Sequence, residues 1–362
     1  MGNMRICIFT WRDLAHPEAG GAEVYTEQVA KRWVADGHEV TLVAAGVEGR
    51  PTQEVIDGYR VIRVGGKYTV YREGRRWWHD VGRFEGYDLI LDMINTVAFV
   101  AHKWAGDVPT VGFIHQTCEE IWHINTPFPA SLLGRYILEP RWLKSYRDVP
   151  VLAVSQSTKD ALARFGVKDI RVVPEGYEPE FTGPFPPKEA DPTLVWCARV
   201  VDYKRPFDLL HAAEKIKPAI PNLKVWMIGG GPQLDELREA APDWVEVLGF
   251  VDQDVKFDRM ARATLHVGTS VREGWGLVVS EAAAVGTPTI SYDVPGLRDS
   301  TRAANGVVIP AQVDALADWL PPMIAKWQAE PPAPLPYGGA ESWDTVAERV
   351  FAAATAAAGL AP

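Results

Sequence analysis

Cysteine is scarce in this chain: Cys7, Cys118 and Cys197 are the only three in 362 residues, far apart and without C-x-x-C spacing. An odd, scattered set excludes a disulfide framework and a structural zinc site, and it fits a reducing cytoplasm. A basic surplus is also missing. Lys and Arg number 37 against 47 Asp and Glu, for a net charge of -10, whereas a nucleic-acid partner requires a basic face. The small cluster Arg72, Arg75 and Arg76 does not change that balance. No apolar run approaches the roughly 20 residues that span a bilayer, and the Ala-rich stretch after Phe351 is too short. The start, Met-Gly-Asn-Met-Arg, runs directly into the apolar residues 6–9, so no secretory leader is expected and the cytoplasm is the expected compartment. What remains, 47% hydrophobic and 23% charged, is the composition of an ordinary globular protein, and the length suffices for two domains with separate cores.

The order of apolar runs predicts an α/β fold. In the first half, strands are expected at residues 4–11, 39–45, 89–93, 110–114 and 151–154, with a helix over 23–36 after the first of them. Between positions 174 and 192 the chain becomes Pro-Glu-Gly-Tyr-Glu-Pro and then Gly-Pro-Phe-Pro-Pro, a stiff connector that marks a domain boundary. A second alternation follows, with strands at 193–197, 224–228, 245–248, 263–270 and 287–292. The expectation is two Rossmann-like, doubly wound domains facing a shared cleft, residues 1–180 and 190–340, with a last helix over 342–358 anchored by Trp343. A dinucleotide-binding enzyme is excluded because Gly-x-Gly-x-x-Gly does not follow the first strand and no acidic residue closes the second. The run Gly229-Gly-Gly-Pro232 lacks the same pattern and reads as a tight turn into a helix.

The richest segment is Glu273-Gly-Trp-Gly-Leu-Val-Val-Ser-Glu281, followed by an Ala-rich run and Gly286-Thr-Pro288. It sits between two expected strands, at the carboxyl end of the first, where open α/β sheets take ligands. Gly274 and Gly276 let backbone approach a ligand closely, and a helix starting near Leu277 aims unpaired N–H groups and a positive dipole end at an anion without a metal. On a regular helix, positions eight apart lie about 12 Å apart on roughly one side. One carboxylate then reaches a sugar and the other a ribose, an arrangement suited to a sugar on a diphosphate. Arg199 and Lys204 follow the first strand of the second half and offer cations to a leaving diphosphate. In the first half, Gly20-Gly21-Ala22-Glu23 opens a helix, His115 ends a strand within reach of sugar hydroxyls, and Asp13 and His16 precede the glycines, where an acceptor would lie. Trp77, Trp78, Trp104, Trp122, Tyr136 and Trp142, interleaved with Arg72, Arg75, Arg76, Arg135 and Arg141, form either a satellite core, a stacking surface for the acceptor or a weak membrane-facing patch.

Taken together these residues resemble the retaining glycosyltransferases of family 4, with the two-domain GT-B architecture, over nearly the whole chain. The resemblance is carried by the Glu-x7-Glu element at Glu273 and Glu281 with Gly274, Trp275, Gly276, Leu277 and Val278 between them, by Arg199 and Lys204, by Gly20 and Gly21, by His115, and by Ser-Trp-Asp from Ser342. It implies an acceptor-binding first domain onto which the last helix crosses back, and a donor-binding second domain. It further implies hexosyl transfer from a UDP- or GDP-sugar to a hydroxyl of a small molecule, an oligosaccharide or a lipid-linked sugar, without cofactor or metal, by front-face attack. Glu273 then lies beside the donor sugar, Glu281 at the ribose, Arg199 and Lys204 at the diphosphate, and His115 at the sugar hydroxyls. Two alternatives share the architecture: a non-hydrolysing nucleotide-sugar epimerase and a non-catalytic nucleotide-sugar-binding protein. The chain departs from the family at Glu175-Gly-Tyr-Glu178, where members commonly carry Asn-Gly-Val-Asp.

Overall fold

Short β-branched and aliphatic runs that are buried over almost their whole length cannot lie on a one-faced sheet; they demand helices on both sides, the condition of parallel α/β structure. The computed structural model describes residues 2–179 and 183–360, so residues 180–182 of the expected connector lie outside the described residues. Its contacts divide the chain into two compact units, Met1–Gly176 with Ser342–Pro362, and Tyr177–Glu341.

The first unit contains β1 (Arg5–Phe9), β2 (Glu39–Ala44), β3 (Gln53–Ile56), β4 (Tyr59–Arg63), β5 (Leu89–Ile94), β6 (Thr110–Ile114), β7 (Val151–Ala153) and β8 (Ile170–Val172). They form one sheet in the order β3-β4-β2-β1-β5-β6-β7-β8. All neighbours are parallel except β3 and β4, an antiparallel hairpin that the sequence reading did not anticipate. Its signal was present: Asp57 and Gly58, at φ 46° and 86°, make the two-residue turn that Asp-Gly favours. The last helix, Trp343–Ala357, is capped by Ser342, whose hydroxyl accepts from Thr345 N at 3.2 Å. It places Trp343, Val346, Ala347, Val350 and Ala354 in the core shared with β1 and helix Gly21–Ala35. Trp33 Nε1 donates to Ala347 O at 3.0 Å, and Trp343 meets Tyr25 edge-on at 5.5 Å.

The second unit contains β9 (Thr193–Cys197), β10 (Lys224–Ile228), β11 (Val245–Gly249), β12 (Leu265–Gly268), β13 (Thr289–Tyr292) and β14 (Val307–Ile309), all parallel, in the order β11-β10-β9-β12-β13-β14. In both sheets the chain builds outward one way and then restarts on the other side, at β1/β5 and at β9/β12. A crevice opens at the carboxyl ends of such neighbouring strands because their crossover helices lie on opposite faces.

One residue inside the second sheet makes stability depend on pH. His266 of β12 is fully buried, its Nδ1 3.1 Å from Thr289 Oγ1, and burial pulls its pKa from 6.5 to about 4. Between pH 6.5 and 4 the unfolded chain binds the proton that the folded one refuses, so stability falls as pH drops through that window, by about 3 kcal/mol at most. Denaturant melts of His266→Gln are expected to lack this component of acid sensitivity.

Candidate functional site

In the second unit the switch point gathers the residues expected there. After β9 the chain runs through Arg199 and a short turn, Asp202–Lys204, into helix Pro206–Ile216; after β12 it runs through Ser270 to Glu273. The two loops are tied together by backbone and side chain. Val271 N donates to Tyr203 O at 2.8 Å, and Thr269 Oγ1 donates to the carbonyls of Lys204 and Arg205 at 2.8 and 2.9 Å. Trp196 Nε1 donates to the same hydroxyl at 3.0 Å. On this frame the Lys204 ammonium forms an ion pair with Glu273, whose Oε1 also accepts from Ser270 Oγ at 2.6 Å; both charged side chains are 15% exposed. Arg199 is exposed and donates to the Tyr203 hydroxyl at 2.9 Å. The run 229–231 makes the expected turn and braces this loop, Val200 N donating to Gly230 O at 2.9 Å.

The segment between the two glutamates is not one regular helix. The helix is Leu277–Ala284, and Gly276 before it takes φ 92°, a left-handed conformation that costs other residues about 1 kcal/mol or more. Glu273 therefore belongs to the loop and Glu281 to the helix, and the regular spacing expected between them does not apply. Glu273 N donates to Pro295 O at 3.0 Å, and Gly296 passes so close that a Cβ there would stand 2.0 Å from Glu273 O. Trp275 is 7% exposed, with its Nε1 3.3 Å from Ser280 Oγ, so it anchors the loop from inside. Leu277 and Val278 form the first turn, their side chains half-buried. Glu281 pairs with Lys256 at 3.0 Å. Lys256 was not singled out from sequence, since one lysine on an amphipathic helix carries no mark. Burial, with Glu281 nearby, pushes the Cys197 thiol up to about 12, so it is not a nucleophile.

In the first unit, helix Gly21–Ala35 begins behind Gly20, and Glu23 reaches back to Gly20 N at 2.7 Å while accepting from Arg12 Nε at 2.9 Å. Asp13 lies inside the unit, 1% exposed, where its Oδ2 accepts from Arg63 Nε at 2.8 Å. His16 is half-buried, and its Nδ1 accepts from Glu18 N at 3.1 Å. His115 follows β6 and is 7% exposed; its Nδ1 stands 2.9 Å from Oε1 of Glu175, the first residue of the departing Glu-Gly-Tyr-Glu segment. Of the expected aromatic set, Trp78 is buried with Trp77 and Trp104 in a satellite core, whereas Tyr136 is 62% exposed. Among the described residues no group of three or more His, Cys, Asp or Glu is gathered as a metal would require, and no helix is long and apolar enough to cross a membrane.

Two doubly wound α/β sheets, parallel except for the β3–β4 hairpin, make up the GT-B architecture. Sucrose-phosphate synthase from Thermosynechococcus elongatus superposes with a TM-score of 0.68 at 20% identity, over 98% of this chain and 96% of that one. HepE from Anabaena, in complex with UDP and glucose, superposes with a TM-score of 0.66 at 16% identity, over 96% and 98%. In sequence, the phosphatidylinositol N-acetylglucosaminyltransferase gpi3 subunit of Schizosaccharomyces pombe is 24% identical over 335 residues, covering 87% of this chain and 72% of that protein. The model of glycosyltransferase family 4 matches residues 19–181, and that of the glycosyl transferases group 1 matches residues 178–327. The chain belongs to this family and is a glycosyltransferase that uses a nucleotide-sugar donor.

Proposed function

We propose that this protein transfers a hexose from a UDP- or GDP-sugar to an acceptor hydroxyl with retention of anomeric configuration and without a metal. The observation that supports it most is the Lys204–Glu273 pair at the β9/β12 switch point, beside the amino end of helix Leu277–Ala284. In this reading the second unit binds the donor and the first the acceptor. The acceptor oxygen bonds to the anomeric carbon on the face from which the diphosphate departs; the carbon–phosphate-oxygen bond breaks, its electron pair leaves with the nucleoside diphosphate, and the acceptor's proton passes to the departing phosphate oxygen.

Charge accumulates on that phosphate, and in this reading Lys204, Arg199 and the helix amino end stabilise it. Lys204 exchanges its partner Glu273 for phosphate when the donor enters, freeing Glu273 to accept from sugar hydroxyls. Glu281 accepts from ribose hydroxyls, its orientation held by Lys256. A nucleoside diphosphate in HepE and an N-acetylglucosaminyl group in the yeast relative's name are consistent with such a donor.

The test is a thermal-shift panel of nucleotide sugars followed by transfer assays with product stereochemistry. A donor present at about 100 times its Kd is expected to stabilise the protein by about 2.7 kcal/mol. Glu281→Ala is expected to weaken donor binding about tenfold while leaving kcat within a few-fold. Absence of any shift across the panel, inversion at the anomeric carbon, or an epimerised donor without acceptor overturns the proposal.

A further inference from the structure

We infer that Glu175 is a positioning residue for His115: its carboxylate fixes the ring with the proton on Nδ1, leaving Nε2 as the free acceptor for a hydroxyl of a sugar ligand. The contact to sugar rests on the function proposed above; the tautomer does not.

Both side chains are out of solvent, 9% and 5% exposed, with Nδ1 and Oε1 2.9 Å apart. A carboxylate oxygen only accepts, so in this contact Nδ1 is the donor and carries the proton. The ring is held from the other sides as well. Tyr25 and Phe113 stand with ring centroids 5.2 Å from it, and the His115 carbonyl accepts from Thr158 Oγ1 at 2.8 Å. With Nδ1 occupied, Nε2 is buried and has no hydrogen-bond partner among the described residues. Leaving an imidazole nitrogen unmet in the interior is unfavourable, a penalty that a ligand hydroxyl donating to it removes. Glu175 Oε2 is likewise unpartnered, so the carboxylate is committed to His115 alone. An amide at position 175 would be free to turn its oxygen toward Nδ1.

The proposal makes neutral Glu175→Gln a near-silent change and Glu175→Ala a damaging one, a split that charge alone does not produce; the tautomer and the comparison of melts with turnover separate it from packing. Nitrogen NMR of histidine-labelled full-length protein, with the His115 signal assigned from His115→Gln, is expected to show a protonated Nδ1 and an unprotonated Nε2 in the neutral ring. In transfer assays Glu175→Ala is expected to lower kcat/KM about 10- to 100-fold, as loss of an outer partner does for ligating histidines. Glu175→Gln should recover to within about threefold, and Glu175→Ala combined with His115→Ala should be no worse than His115→Ala.

A neutral ring protonated at Nε2 overturns the inference whatever the activity. So does a Glu175→Ala protein that melts earlier but turns over normally, or a Glu175→Gln protein as impaired as the alanine variant. A wild type that transfers no sugar to any acceptor defeats the proposed function instead, while the NMR result still decides the tautomer.

Discussion

Lys204→Ala and Glu273→Ala are each expected to lower kcat about 10²–10³-fold with thermal unfolding essentially unchanged: for Lys204 this is the size of effect seen when one group that stabilises developing negative charge is removed, and for Glu273 it follows from losing the group that orients the sugar. The stability side follows from their surroundings. Both are 15% exposed and face each other from loops whose backbones are already tied through Thr269 and Val271, so the frame does not depend on them. Because they are paired, their effects should not multiply. With either one absent the other loses its partner, and the double variant is expected to lie well above the product of the single losses. Steady-state kinetics of the two single variants and the double variant, with melts as controls, checks this. Wild-type turnover in either single variant refutes the placement of the reaction at the β9/β12 switch point.

The largest expected loss of stability lies in the first unit. Trp343→Ala removes a side chain that is 5% exposed, packed on Tyr25 and set in the core of the first unit together with Val346 and Val350. Truncations of this size cost about 3–5 kcal/mol. Gly176 makes the site poorly able to collapse, since the Trp343 ring occupies the space a Cβ there would need, 2.4 Å away. Hydrogen exchange is expected to accelerate across helix Gly21–Ala35 and β1, and to stay unchanged across β9 and β12, because the last helix shares its core with the first unit only. Uniform acceleration in both units defeats this prediction.

Most strands were legible because each is a short apolar run bounded by polar turns, and burial on both faces leaves that mark in any parallel sheet. Such runs at 193–197 and 224–228 became β9 and β10 without change of boundary. The β3–β4 hairpin escaped because β3 is the edge strand, where Gln53 and Val55 are exposed and no apolar run results, and because in β4 the buried Val61 and Ile62 stand between Arg60 and Arg63. The Glu273 to Glu281 element reads as a ligand segment because it lies between two strands, at the carboxyl end of the first, whereas Gly–aromatic–Gly by itself also occurs in ordinary strand-to-helix loops. Its spacing was not readable, since only the left-handed Gly276 separates loop from helix.

The sequence by itself determined the alternation of strands and helices, the two halves, the family and the identity of the charged residues, because those are encoded in local pattern and in spacing along the chain. Tertiary structure alone decided which charges meet: Lys204 with Glu273 across 69 positions, Lys256 with Glu281 across 25, His115 with Glu175 across 60, and Arg63 with Asp13 across 50. The physical reason is that strand order, not sequence order, sets which loops share an edge of a sheet, and a single side chain carries no mark of the partner that strand order will bring to it.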